Sequence, residues 1–428
     1  MNTQQRPPAD CERGLGDSIQ IPIERKCTSS PHFRTAAGFA GLQVIFTTFI
    51  GHGVTHFEDL GLSQTEIAIM LFAGPICGAT FQPYFGNWSD QIRSPWGRRK
   101  PFILFGTIVL ILSILTIAWA DAIAHFLTNS ASNETYRTVL VLIILLSTFL
   151  LWIAAQAVQV GLRALISDGC TPAEQVKASA WAGCYGNFAA TLGNLSAYIN
   201  DENELRKNVV LKSSGTLGSG MGSLTLLAYS TVALCMGVLL PNLVSFTKAV
   251  SISHLWIASL GLFGISMLGT FVVFSSFGSF VLFSIVGISW AASTWIPYAL
   301  LGAEASHLSE LSDDSERSSD YGGIASDEKA HVENRNDMST QLGLIYGVHN
   351  LSICLPQILM CLGMGLVSLV SDRKSEEKRN KQSFDSVWIL RLGGIFALLA
   401  MYIATRVEEP FQRGLSVEYK ELNQDDEG

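Results

Sequence analysis

One arginine in this sequence stands where chemistry would require it. Arg163 lies in Gln156-Ala157-Val158-Gln159-Val160-Gly161-Leu162-Arg163-Ala164-Leu165-Ile166-Ser167-Asp168, near the end of a long apolar run. A guanidinium inside a membrane is costly unless it faces a partner or a cavity. Its planar fork of donors suits neighbouring hydroxyls as well as a carboxylate. Gln156 and Gln159 precede it by seven and four residues, so all three share one helical face. Such a polar stripe points into a helix bundle or a water-filled path. The plain alternative is an arginine that snorkels to the membrane surface.

A second polar cluster lies earlier, from Gly86 to Lys100: Gly86-Asn87-Trp88-Ser89-Asp90-Gln91-Ile92-Arg93-Ser94-Pro95-Trp96-Gly97-Arg98-Arg99-Lys100. Apolar stretches flank it, Ile67 to Phe85 and Pro101 to Trp119. Each is long enough to cross a bilayer as a helix. A connector this short makes them antiparallel neighbours, and its Lys/Arg excess assigns it to the cytoplasmic side. Gly86 and Gly97 permit close approach or a turn. Pro95 interrupts the helix, and Pro101 suits the first turn of the next one.

These clusters need long apolar elements to hold them, and the composition supplies them. The 428 residues are 48% hydrophobic and only 15% charged, against about 25% charged in soluble domains. Mean hydropathy is +0.32. The first thirty or so residues are polar without an apolar core, so targeting is expected to fall to the first membrane helix. The eight cysteines form no C-x-x-C pair and read as small packing residues. The net charge of −8 is concentrated in Ala303–Asp337 and the C-terminal tail, which read as solvated segments rather than binding surfaces.

Hydropathy predicts about ten spans: Thr35–Val54, Thr65–Phe85, Pro101–Trp119, Leu140–Ile166, Ala178–Tyr198, Leu224–Val244, Leu255–Phe274, Ser279–Leu301, Leu342–Val370 and Val387–Thr405. Ser63 with Glu66 forms a capping box at the second. The loop after the third carries Asn133-Glu134-Thr135, a glycosylation acceptor expected outside. Ser167 to Lys177 is expected as an inner loop, and Asn200 to Ser219 as a polar gap. Asp372 to Asp385 should lie outside, although Arg373, Lys374, Lys378, Arg379 and Lys381 run against the charge rule there.

The string Gly86-x-x-x-Asp90 followed by Gly97-Arg98-Arg99-Lys100 resembles the loop between helices two and three of the major facilitator superfamily. The longer pattern, Gly74-Pro75, Gln82-Pro83, Ser89-Asp90 and Gly97-Arg98-Arg99-Lys100-Pro101-Phe102-Ile103, is similar to the glycoside–proton symporter branch, which holds sucrose carriers of plants and fungi. That resemblance implies an all-α polytopic bundle in two halves, with substrate bound between them. It implies an inner gate of Gly86, Asp90, Gly97, Arg98, Arg99 and Asp168. It makes Arg163 the sugar contact of the fourth family helix, with Gln156 and Gln159 lining the path. Trp290 to Glu304 resembles the tenth family helix, in which Pro297 would kink the chain and Trp290 and Trp295 could stack on sugar faces. Gly347, Asn350, Pro356 and Gln357 resemble the eleventh, with His349 and Asn350 as cavity groups.

The sequence also departs from the family. Trp152 stands three helical turns before Arg163, where the family has an aspartate tied to proton coupling, and Gln64 stands where plant members carry a histidine. Substitute proton carriers are Glu58, Asp59, His52, His56 and Glu304. Family helices six and seven have no counterpart between Tyr198 and Gly218. The expected organisation is therefore a cytoplasmic tail over 1–34, a first bundle over 35–199 and a linker over 200–222. Helices resembling the eighth to tenth occupy 223–302, an acidic loop 303–340, the last two helices 341–406 and an acidic tail 407–428.

The partners implied are a small sugar, a proton and the lipid bilayer, with no nucleic acid and no cofactor or metal. The plasma membrane is favoured over the vacuolar one. A membrane enzyme is disfavoured, because no span pairs carboxylates, gathers a histidine-rich metal set or sets a nucleophile beside a base. No Gly-Lys-Ser/Thr loop exists for a nucleotide phosphate.

Overall fold

The computed structural model describes residues 34–129, 132–170, 172–209, 217–246, 251–305, 341–372 and 378–406. The expected N-terminal and C-terminal tails, and most of the acidic loop, lie outside these residues. All regular structure among the described residues is helical. The order is α1 (Gly38–Asp59), α2 (Gln64–Gln91), α3 (Lys100–Ala118), α4 (Ala120–Thr128), α5 (Asn133–Gly169), α6 (Pro172–Val209), α7 (Leu217–Phe246), α8 (Ile252–Gly269), α9 (Ser276–Ser293), α10 (Leu342–Asp372) and α11 (Lys378–Ala404). A further helical segment, 296–305, follows α9 after a break at Thr294 and Trp295.

Among the described residues, eight helices are long and apolar enough to cross a membrane, and Leu390–Ala404 within α11 adds a shorter apolar segment. α6 does not join them, although a fifth span was expected at Ala178–Tyr198. Its helix is 38 residues long, but Asn187, Thr191 and Asn194 lower its hydropathy. Those polar groups face α7 rather than lipid. Cys184 Sγ reaches the Gly237 carbonyl at 3.1 Å, and Asn187 Nδ2 donates to Ala233 O at 3.3 Å. Thr191 Oγ1 donates to Ser230 O at 3.0 Å, and Asn194 Nδ2 to Leu226 O at 3.3 Å. Positions rise along α6 as they fall along α7, so the pair is antiparallel. In hydrocarbon these side chains need partners, and helix carbonyls supply them.

Several expected boundaries move. The expected polar gap Asn200 to Ser219 is helical at both of its ends, because α6 runs to Val209 and α7 starts at Leu217. Hydropathy marks where lipid contact ends, whereas Asp201-Glu202-Asn203-Glu204-Leu205-Arg206-Lys207 contains good helix formers that carry the hydrogen-bond ladder into water. The expected inner loop Ser167–Lys177 shrinks to a break around Cys170, so Ser167 and Asp168 belong to α5. The charged outer loop Asp372–Asp385 shortens in the same way, since α11 begins at Lys378. Asn133 opens α5 instead of sitting in a loop, behind the N-cap Ser132. Asn133, Glu134 and Thr135 are all exposed there. α5 has 37 residues, roughly 55 Å at 1.5 Å per residue, well beyond the ~30 Å of hydrocarbon. The capping box forms as expected: the Glu66 N–H donates to Ser63 Oγ at 3.3 Å and the Ser63 N–H to Glu66 Oε2 at 2.6 Å.

Helix pairing follows small residues. α2 and α10 cross most closely, with Gly86 against Gly343 and Pro83 against Gly347. A Cβ on Gly86 would stand 2.1 Å from the Gly343 carbonyl oxygen, and one on Gly347 2.5 Å from Pro83 Cα. α3 meets α5 through Gly106 and Gly161, and α8 meets α11 through Gly264 and Gly394. Apolar cores lie between these pairs. One joins α1, α2, α3, α5 and α6 around Leu110, Ile144 and Leu151. Another joins α6, α7 and α9 around Trp295 and Ile296.

Two outcomes test this packing. Gly86→Ala must force backbone apart, at about 1–3 kcal/mol, and should lower the melting temperature of the detergent-solubilised protein. Asn187→Ala removes one interhelical hydrogen bond and should cost only about 0.6 kcal/mol in the same measurement.

Candidate functional site

At one end of the bundle the polar stretch expected as a hinge resolves into two parts. Gly86 to Gln91 is the last turn and a half of α2, and the turn proper spans residues 92–99. The Gly97 N–H donates to Ser94 O at 2.9 Å across Pro95. Gly97 has φ +91°, a left-handed conformation that glycine adopts without a Cβ clash.

This turn delivers Arg99 into the protein. Its side chain is 1% exposed and lies between Asp90 at 2.5 Å and Asp168 at 2.9 Å. Its Nη1 also donates to Ser89 Oγ at 2.6 Å. Asp90 spends its carboxylate a second time. Oδ1 accepts the Gly343 N–H at 3.1 Å, and Oδ2 accepts the Leu344 N–H at 2.9 Å. Those amides open α10, where free N–H groups and the positive end of the helix dipole favour an anion. Asp168 sits in the last turn of α5, the wrong helix end for a carboxylate, and Arg98 at 3.1 Å helps Arg99 offset it. Burial works against the Arg99 charge. Asp168, and then Asp90, outweigh it and hold its pKa above the ordinary arginine value. The expected gate residues Gly86, Asp90, Gly97, Arg98, Arg99 and Asp168 are thus one contiguous structure that ties α2, α5 and α10 together.

A further layer lies just inside. Ser167 Oγ bonds the Tyr346 hydroxyl, and Gln175 Nε2 donates to Ser167 O at 3.2 Å and Cys170 O at 3.3 Å. Gly302 packs against both side chains, and a Cβ there would fall 2.7 Å from Gln175 Oε1 and 2.9 Å from the Tyr346 hydroxyl. Tyr346 does not stand out in the sequence, because it is an isolated polar residue whose partner Ser167 lies far along the chain, and Gln175 carries no spacing signal although its partners are close.

Arg163 lies deeper. Its guanidinium carbon stands 3.5 Å from the Tyr298 ring centroid and 4.5 Å from that of Phe39. Nη2 reaches the Thr294 carbonyl at 3.5 Å, in the break between α9 and 296–305. The expected kink at Pro297 is therefore a full break, since proline brings no N–H to the preceding turn. Nε is buried and makes no hydrogen bond. Among the described residues no carboxylate pairs with Arg163.

The other predicted side chains separate. Gln156 is buried, with Oε1 unpartnered, and lies next to Gly78 on α2. Gln159 is half-buried on the same helix. Asn350 Nδ2 donates to Gly78 O at 3.2 Å and reaches Cys354 Sγ at 3.3 Å, so α10 brings it beside Gln156. His349 lies with its ring 5.1 Å from that of Tyr298, nearly perpendicular to it. Trp295 is not beside this group as an open stacking face. It is fully buried among Ala180, Ala291, Ala292 and Ala299, and touches the site only through its neighbour Thr294. Trp290 is exposed and packs on Tyr229. Trp152 fills its position with an aromatic cluster, stacked on Phe46 at 5.4 Å and edge-on to Phe49 at 5.4 Å.

The proton-carrier residues expected from sequence are dispersed. Glu58 and Asp59 are exposed at the end of α1, His52 is half-buried one to two turns earlier, and Glu304 is half-buried near the end of 296–305. Tyr298 is the residue the sequence reading missed at the centre, and its position directly after Pro297 was the available signal.

The Major Facilitator Superfamily model matches residues 35–201, which include the gate, Gln156, Gln159 and Arg163. An MFS-type transporter, cctQ, of Talaromyces islandicus is 34% identical over 256 residues, covering 55% of this chain and 90% of that protein. A general alpha-glucoside permease of Schizosaccharomyces pombe is 32% identical over 160 residues, 37% of this chain and 28% of its own length. The sucrose transport protein SUC3 of Arabidopsis thaliana is 30% identical over 162 residues, 37% of this chain and 27% of its own length. The matches thus span little more than a quarter of these two carriers. The fold is similar to an outward-facing bacterial homologue of ferroportin, with TM-score 0.55 and 12% identity over 89% of this chain and 100% of that one.

Charge removal separates the two arginines of the gate. Arg99→Ala takes the buried cation from Asp90, which is buried, and from Asp168, which is half-buried, and should cost about 3–5 kcal/mol. Arg98→Ala, at a side chain 38% exposed, should cost no more than about 1 kcal/mol. Thermal unfolding of both purified variants checks the contrast.

Proposed function

The chain belongs to the major facilitator superfamily, and on that premise we propose that it is a secondary carrier for sucrose or a related α-glucoside, driven by protons. It is an integral, multi-pass membrane protein, for which we propose the plasma membrane. The observation that carries the substrate reading is the Arg163 guanidinium: on a half-buried side chain with Nε shut from solvent, without a carboxylate among the described residues, and stacked on Tyr298. A structural arginine in a membrane bundle is expected to be neutralised. This one instead keeps a donor free and holds Thr294 O only at the limit of a hydrogen bond. A hydroxyl-rich ligand would gain charge-assisted hydrogen bonds there at the loss of little. Gln156 and Asn350 extend the polar surface along α5 and α10, with Gln159 one turn from Arg163. The similarity to proteins named as alpha-glucoside and sucrose carriers supports the same class.

In the mechanism we propose, sugar binds near the middle of the bundle, and the helix groups rock to expose it on alternate sides. Arg163, with Gln156 and Gln159, holds the sugar. Trp295 stiffens the wall that carries Thr294. The Asp90–Arg99–Asp168 network shuts the inner end, and its breakage would admit the cytoplasm. Opening must then separate a buried ion pair and uncap α10 together, so the inner gate should move as one unit.

Uptake of labelled sucrose in a transport-deficient cell, at matched surface expression, tests this reading. Arg163→Ala should lower uptake at least tenfold. Arg163→Lys keeps the charge but loses the fork, and should fall between the two. Equal uptake by Arg163→Ala removes this residue from the path. Sugar-dependent thermal stabilisation without any uptake would mark a sensor instead, and absence of both removes the glucoside reading.

A further inference from the structure

A proton-driven carrier needs a group in its membrane interior that gains and loses a proton near neutral pH. Of the carboxylates at helix ends, Asp90 and Asp168 are bound to Arg99, and Glu58 and Asp59 are exposed. Trp152 contributes an indole packed among aromatic rings. His349 differs from all of these; His56 has a similarly unbonded Nε2 but lies in the last turn of α1, against Phe57. His349 sits two turns into α10, half-buried, with Nε2 shut away from solvent and unbonded. Its ring meets Tyr298 at 5.1 Å and 82°, and Tyr298 is the ring that holds the Arg163 guanidinium at 3.5 Å.

We propose that His349 is the proton-binding residue of this carrier and that Tyr298 links its charge to Arg163. The assignment rests on the proton-driven reading above. Imidazole is the side chain whose charge ordinarily changes between pH 5 and 8. When Nε2 takes a proton from the outer solution, no bond breaks and one positive charge is added. That charge arrives beside a guanidinium already on the same tyrosine. The two cations compete for one ring, so the hold of Tyr298 on Arg163 differs between the protonated and neutral states. A difference of this kind is what couples two binding events. Loss of the proton to the cytoplasm returns the imidazole to its neutral form.

The neighbouring charges and titratable groups are few. α5 contributes Arg163, and the segment 296–305 contributes Tyr298, with Glu304 towards its end. On α10 itself Tyr346 is bonded to Ser167. α2 offers the Cys77 thiol, beside the Gly78 that receives Asn350, and Asp90, which is held by Arg99 and by the first amides of α10. None of these is an unpaired carboxylate placed to keep His349 permanently charged.

The experiment compares sugar exchange without a gradient and sugar accumulation under an inward proton gradient, in vesicles holding the full chain. His349→Gln keeps a polar side chain that cannot titrate. It should exchange sugar within about threefold of the unmodified protein, yet lose acid-driven accumulation by at least tenfold. His349→Glu, titratable again, should restore part of the accumulation with a displaced pH profile. Accumulation by His349→Gln equal to the unmodified chain overturns the assignment. So does loss of both activities in His349→Gln without rescue by His349→Glu, which would mark a structural residue. An unmodified chain that exchanges sugar with no acid stimulation overturns it while leaving the carrier reading intact. One that exchanges no glucoside overturns both.

Discussion

The burial of Arg99 constrains everything around it. A guanidinium that is 1% exposed must be surrounded by acceptors, and here they come from three separate places. Ser89 and Asp90 end α2, Asp168 ends α5, and Asp90 in turn receives the first amides of α10. Each of these groups has a further partner, but only Arg99 links all of them. An uncapped α10 would leave amides facing a closed interface, and an unpaired Asp168 would oppose its own helix dipole. The network therefore behaves as a single joint between helices far apart in sequence. The glycine contacts beside it, Gly86 on Gly343 and Pro83 on Gly347, bring the backbones close enough for the joint to close.

The same need to satisfy polar groups in a poor solvent explains the rest of the architecture. α6 carries more polarity than a lipid-facing helix tolerates, and it spends that polarity on the carbonyls of α7. These bonds make α6 and α7, neighbours in sequence, direct partners in space. At the C-terminal end of the chain, Arg391 follows a similar rule: it donates to Thr270 O at 3.1 Å and stacks on Phe271 and Trp388. Arg163 shares with Arg391 its aromatic faces, a single carbonyl and an unbonded Nε, but its carbonyl stands at 3.5 Å rather than 3.1 Å, and it lacks the anions that hold Arg99.

Sequence reading and structure agree best where a residue's environment is local. The motif around Asp90 and Arg99, the capping box at Ser63, the shared face of Gln156, Gln159 and Arg163, and the apolar helices themselves all follow from spacing and hydropathy along one element. Disagreement appears wherever hydropathy was asked to mark the ends of helices. The extension of α6 to Val209 and the early start of α11 at Lys378 show that a helix continues as long as its hydrogen bonds do, past the lipid boundary. The resemblance to the tenth family helix offers Trp295 as a stacking face, with core packing the commoner use of such a residue. The break before Pro297 turns it inward, into the contact with α6.

By itself the sequence determined that the chain is a polytopic helical bundle, which polar groups lie within it, and where the basic turn falls. Those properties depend on the chemistry of single segments and on spacings of three and four residues. Only the tertiary structure decided which polar groups meet. Tyr298 reaches Arg163, His349 reaches Tyr298, and Tyr346 reaches Ser167 across separations of more than one hundred residues in two of the three pairs. No periodicity encodes such contacts, because they arise from how closely glycine-lined helices cross and from where a proline interrupts one of them.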